Sequence, residues 1–104
     1  MASSGGTECC LRLVWLPRAL RDRDSLLDYI AKRSPAAAIS QANEIEQQIN
    51  ILHDFPELGR LGRAPGTREL VIGGTRFIAI YRIRAGAGRL EILRLLHSAQ
   101  RWPV

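Results

Sequence analysis

From Ile39 through Ala42, Ile45 and Ile49 to Leu52, apolar residues return at intervals of three, three, four and three. This spacing lines all five along one stripe of an α-helix. The start is marked too: Ser34 is a cap residue, and Pro35 takes the first helical position, where a missing N–H does no harm. A helix of about five turns follows, and Phe55-Pro56 ends it. A helix with one apolar stripe needs a second layer to cover it. Part of that layer lies just upstream, where Pro17 precedes a run over residues 18–32. Leu20, Leu27, Ile30 and Ala31 share one face of this run, while Arg21, Arg23, Asp24 and Asp28 are polar. Helices so closely joined pack as an antiparallel hairpin.

Beyond residue 66 the pattern changes to that of strands. Residues 67–72 (TRELVI), 76–84 (RFIAIYRIR) and 89–96 (RLEILRLL) are β-like runs, broken by Gly73-Gly74 and by residues 85–88 (AGAG). Residues 57–66 (ELGRLGRAPG) hold three glycines, a proline and two arginines, and read as a loop. Residues 11–16 (LRLVWL) form a first strand expected to insert beside a later one, and residues 97–104 (HSAQRWPV) a turn or short helical cap. The expected class is α+β: a two-helix hairpin packed on a twisted, mostly antiparallel sheet, in the order β-α-α-β-β-β. Residues 1–8 are small and polar and read as a flexible tail, leaving 9–104 as one domain. With 46% hydrophobic and 24% charged residues in 104, one modest core can form.

Several classes are set aside at once. No apolar run approaches the roughly 20 residues that span a bilayer. Residues 1–10 carry neither a positive charge nor an apolar segment, so no secretory signal is expected. Cys9 and Cys10 are adjacent and cannot staple distant elements, which points to a reducing, cytoplasmic setting. His53 and His97 belong to no metal-ligand spacing, and no phosphate-binding loop, nucleophile elbow or dinucleotide fingerprint occurs, so neither metal nor cofactor is expected.

Charge is unevenly spread. Residues 1–59 hold six basic and eight acidic residues, whereas residues 60–104 hold nine arginines against Glu69 and Glu91, a balance of +7. Guanidinium groups suit bidentate recognition of phosphate or carboxylate, so nucleic acid and an acidic protein both fit this half. Glu69 and Glu91 fall on strands and are expected to pair with an arginine such as Arg68, Arg82 or Arg94. Arg76, Arg82 and Arg84 share one side of their strand by period two, with Ile78 and Ile80. Arg60 and Arg63 precede Arg68, and a solvated basic edge is the plain reading of this group. Arg82, inside an apolar strand, fits that reading least. His97 closes the last strand, three residues from Arg94 and four from Arg101. Neighbouring guanidiniums disfavour its protonated form, so it can serve as a neutral base; a capping histidine is the structural alternative. Tyr81 and Trp102 read as core or rim aromatics.

GRAPGTRELVI (residues 62–72), RFIAIYRI (76–83) and LEILRLLHSAQRWP (90–103) together resemble the ParE/RelE superfamily of bacterial toxins, with the ParE side nearer. The opening LVWLPRALRDRDSLLDYI (13–30) is similar to that superfamily's first strand and helix. The resemblance implies a growth-inhibiting toxin of a plasmid-stabilisation type, held inactive by a cognate antitoxin in a hetero-oligomer. RelE-type members cleave ribosome-bound mRNA with basic and acid–base residues; ParE-type members act on DNA gyrase. Aligning Tyr81 with the tyrosine of the nuclease strand sets Ile78 where a catalytic arginine is expected; at the end of the last strand the resemblance implies a tyrosine or arginine near Ser98. On the nuclease reading His97, Arg76 and Arg82 carry the chemistry, with Arg63 and Arg68 on the RNA. On the binding reading Arg63, Arg68, Arg82, Arg94 and Arg101 meet the target. Deleting residues 1–8 is expected to leave the thermal midpoint unchanged; a clear loss in a melting experiment would make the tail part of the fold.

Overall fold

The computed structural model describes residues 11–98. The expected tail, Cys9, Cys10, Arg101 and Trp102 lie outside the described residues. Strand β1 (Arg12–Trp15) leads into helix α1 (Pro17–Arg33), and α2 (Pro35–Ile51) follows directly. Three longer strands complete the sheet after a two-residue one: β2 (Arg60–Leu61), β3 (Arg68–Val71), β4 (Phe77–Arg84) and β5 (Arg89–His97).

Ser34 is the whole connection between the helices. Its backbone N–H closes α1 on the Ile30 carbonyl, and its hydroxyl accepts from the Ala37 N–H at 3.2 Å to open α2. Both helices start with proline, as their sequences predict. The buried face of α2 runs through Ala38, Ile45 and Ile49 to Leu52, whereas Ile39 is 65% exposed. The stripe therefore begins one residue earlier than spacing alone suggests. In α1 the fully buried residue is Ala19, and Leu20 is exposed. A small residue at this point lets the helix approach the sheet closely.

The five strands form one sheet in the order β1-β5-β4-β3-β2. The first strand does insert beside a later one, pairing parallel to the last, with Arg12 opposite Arg89 and Trp15 opposite Ile92. All other pairings are antiparallel. Strand β2 lies inside the stretch that reads as a loop: glycine and proline mask two residues whose partners, Glu69 and Arg68, lie across a turn. The helix-side face of the sheet supplies Leu70, Ile72, Phe77, Ala79, Tyr81, Leu90, Ile92 and Leu95 to a core shared with Ile45 and Ile49. Full burial of each large side chain contributes roughly 1.5–3 kcal/mol.

Tyr81 anchors the loop that precedes β2. Its ring is fully buried, and its hydroxyl accepts from the Gly59 N–H at 2.8 Å while donating to the Pro56 carbonyl at 2.7 Å. Burial pushes the phenol above its ordinary value, so it stays neutral and keeps both bonds. Gly59 is required by contact: a Cβ there would sit 2.7 Å from the tyrosine ring and 2.9 Å from the Glu69 carbonyl. Tyr81→Phe would strand a buried donor and acceptor, and is expected to lower stability by about 1–3 kcal/mol. A urea midpoint that falls at constant m checks it.

Candidate functional site

Two ends of the sheet carry chemistry. At one, β4 starts and β5 finishes, so Phe77 stands opposite His97. The approach to β4 is pinned from two sides. The Ser98 N–H donates to the Arg76 carbonyl at 2.6 Å. From α2, the Gln48 amide brackets Gly73: its nitrogen donates to the Gly73 carbonyl, and its oxygen accepts the Gly73 N–H, both at 2.7 Å. Gly74 adopts φ +78° in this turn, a conformation that favours glycine. Arg76 consequently lies in a bend before the strand, where period-two alternation does not apply.

The result is a cleft of about 540 Å³ between the helical hairpin and this end of the sheet. Leu26, Tyr29, Ile30 and Gln41 line it from the helices, and Gly74, Thr75, Arg76, Phe77 and His97 from the sheet. The His97 and Phe77 rings meet edge-on, centroids 6.4 Å apart and planes at 74°. Tyr29 is 64% exposed at the rim. The described lining residues offer a histidine, a guanidinium, an amide and hydroxyls, and no carboxylate. The structure thus joins His97 to Arg76 and separates both from Arg82.

Arg82 belongs to the opposite face, which no helix among the described residues covers, because it alternates with Tyr81. Its Nε donates to Glu91 Oε1 at 2.7 Å. Arg89 Nη2 reaches the other oxygen at 3.1 Å, and Arg84 Nη1 stands 4.0 Å away. Glu91 is buried, and the Arg82 hydrogen bond holds its carboxyl below the usual carboxylate range.

The remaining basic candidates are distributed by structural tasks. Arg68 Nη1 donates to the carbonyls of Gly59 at 2.8 Å and Glu57 at 3.3 Å, holding the same loop as Tyr81. Arg94 donates through Nε to Asp22 Oδ2 on α1 at 2.7 Å, and Asp22 also accepts the Leu95 N–H at 3.0 Å. Glu69 pairs with Arg60 at 3.1 Å rather than with Arg68, Arg82 or Arg94. Arg63 is exposed on the β2–β3 turn. Arg89 and Asp22 carry no signal of their own in the sequence, and Arg60, read there as part of a solvated basic edge, is instead paired with the buried Glu69. Arg60 and Glu69 are legible in hindsight, flanking one turn symmetrically; no local signal joins Asp22 to Arg94.

Among the described residues no group of His, Cys, Asp and Glu is placed to hold a metal ion, and no helix is long and apolar enough to cross a membrane. A family model described as the ParE toxin of the type II toxin–antitoxin system parDE matches residues 13–102. The chain belongs to the ParE toxin family. A relative from Sinorhizobium fredii (strain NBRC 101917 / NGR234) named as toxin Y4kP is 39% identical over 92 residues, covering 88% of this chain and 93% of the relative. Toxin RelE2 of Caulobacter vibrioides (strain ATCC 19089 / CIP 103742 / CB 15) is 36% identical over 89 residues, covering 86% and 97%. The chromosomal ParDE toxin–antitoxin system from P. aeruginosa contains a chain that superposes with a TM-score of 0.76 at 26% identity, covering 86% of this chain and 97% of that one. The RelBE2 toxin–antitoxin complex of Mycobacterium tuberculosis shares the fold, with a TM-score of 0.59 at 24% identity over 86% of this chain and 93% of that one. This ParE-family chain is therefore a type II toxin of the wider ParE/RelE superfamily.

The Glu91 cluster makes acid stability testable. A carboxyl held below its ordinary value of 4.5 adds stability above that pH and loses it as the pH falls through the folded-state value. The stability gap between wild type and Glu91→Gln should therefore narrow as the pH drops below 4.5, in denaturant titrations run across an acid series. A constant gap would remove Glu91 from the acid response.

Proposed function

We propose that this ParE-family toxin inhibits growth by poisoning DNA gyrase, without cutting RNA, and that a cognate antitoxin neutralises it in a cytoplasmic hetero-oligomer. One observation carries the reading: the groups that a ribonuclease must converge on one phosphate lie on two faces of the sheet. Cleavage through a 2′-hydroxyl needs a base, an acid and cations in one preorganised site. His97 and Arg76 border the helix-side cleft, whereas Arg82 is hydrogen-bonded to Glu91 on the other face. Ile78 and Ser98 stand where the nuclease pattern has functional side chains. The match to the ParE family model points the same way.

For the antitoxin, support comes from the ParDE system and the RelBE2 complex, whose toxins share this fold. Of the described arginines expected at a target, Arg63 is the one presented on an exposed turn; Arg68, Arg82 and Arg94 position loops and strands through the contacts above. Ribonuclease action remains the second reading because His97 and Arg76 do share a cleft, and because one well-placed base is worth about 10²–10⁴-fold in rate.

The discriminating experiment expresses wild type and His97→Ala without antitoxin in growing cells. The expected outcome is that toxicity survives the substitution, that gyrase-linked DNA breaks accumulate, and that primer extension finds no new mRNA ends. Loss of toxicity in a folded, antitoxin-binding His97→Ala variant, with wild type cutting ribosome-bound mRNA, would establish the enzyme instead.

A further inference from the structure

The end of the sheet remote from His97 concentrates positive charge that the cleft does not explain. Arg12 on β1 stands in register with Arg89 on β5, and Arg89 with Arg84 on β4. Adjacent strands lie about 4.8 Å apart, so the three arginines form one lateral row across three strands. The next pair along β4 and β5, Arg82 and Glu91, shares the same helix-free face. Four guanidiniums here face one carboxylate, and Glu91 is the one acidic residue on β1, β4 and β5. A charge of +3 is left over. Like charges set directly opposite one another destabilise a sheet, and Glu91 offsets only part of this. The Nε of Arg89 is buried without a hydrogen-bond partner, while Arg12 and Arg84 are exposed.

We infer that this arginine row docks the phosphate backbone of nucleic acid, independently of base sequence. Guanidinium forks match phosphate oxygens, and residues fixed on strands keep their spacing without ordering a loop. The neighbouring hairpin tip consists of Ala85, Gly86, Ala87 and Gly88, all exposed, so no bulky side chain holds a polymer away from the row. A protein partner is disfavoured here because, among the described residues, this end of the face offers no exposed apolar anchor of the kind that dominates protein interfaces. Among the described residues the row also presents no aromatic side chain for base stacking, which leaves contacts to the backbone. This surface lies about 20 Å along β4 from Phe77 and His97, at the usual rise of a strand, and its inference does not depend on the gyrase reading.

The test titrates the full chain into a short mixed-sequence DNA duplex across a salt series, read by fluorescence anisotropy. Arg12→Gln combined with Arg84→Gln removes two cations while leaving Arg82 and Arg89 on Glu91. Arg18→Gln with Arg21→Gln, exposed on α1, removes the same charge elsewhere. The slope of log affinity against log salt should fall by about two in the row variant, and by clearly less in the α1 variant. Arg12→Gln alone should lower the slope by about one, and it serves if the double variant does not fold. Equal losses in the row and α1 variants, or no binding of duplex by wild type at low salt, would overturn the inference. Tighter binding of polyglutamate than of duplex would overturn it too, and assign the row to an acidic protein.

Discussion

Within the β4–β5 ladder Ile80 pairs with Arg94, but Tyr81 pairs with Ile92, so Leu93 has no residue opposite. This one-residue bulge sets which side chains of β5 reach the helices. Before it, Leu90 and Ile92 face the core; after it, Leu95 joins the core and His97 turns to the cleft. Unbroken alternation would send Leu95 and His97 to the helix-free face and turn Arg94 inward. Asp22 of α1 completes the arrangement by accepting both the Leu95 N–H and the Arg94 guanidinium. A carboxylate on a helix thereby satisfies a backbone donor that β1, ending at Trp15 opposite Ile92, leaves open. The position of His97 and the partial burial of Arg94 against Asp22 of α1 both follow from that extra residue.

The local elements were legible because local physics specifies them. Proline at the first helical position, a serine able to cap one helix while ending another, and a 3.6-residue stripe need no tertiary information. Glycine pairs likewise announce the turns around β4. The errors fall where one element's environment depends on another. Ile39 fits the stripe by spacing, yet Ala38 takes the buried position and leaves Ile39 65% exposed. Arg76 fits the β4 alternation by counting, yet the Gln48 and Ser98 bonds bend the chain before the strand starts. The bulge at Leu93 leaves only a faint trace, the apolar run that interrupts alternation between Ile92 and Leu96.

For the candidate site, residue type was legible and residue role was not. An excess of arginine in the second half is plain from composition. Which guanidiniums are committed to structure is settled by partners far away in sequence: Asp22 for Arg94, and the Glu57 and Gly59 carbonyls for Arg68. Arg82 is the instructive case, because its place in an apolar strand correctly singled it out. The reason is its bond to the buried Glu91 rather than exposure to a ligand. His97 and Arg76 come together through a register, Phe77 opposite His97, that no spacing rule supplies.

The parallel pairing of β1 with β5 has a consequence for synthesis. Arg12 meets Arg89, so the first strand of the chain waits for the last before its ladder can form. Closing so long a loop delays contact formation, and a ribosome delivers the chain N-terminus first. The helical hairpin can assemble while translation continues, but the edge of the sheet stays incomplete until β5 has left the exit tunnel. A nascent toxin therefore lacks its finished surface until β5 joins β1. An interrupted copy, truncated before β5, has neither the cleft at His97 nor the arginine row.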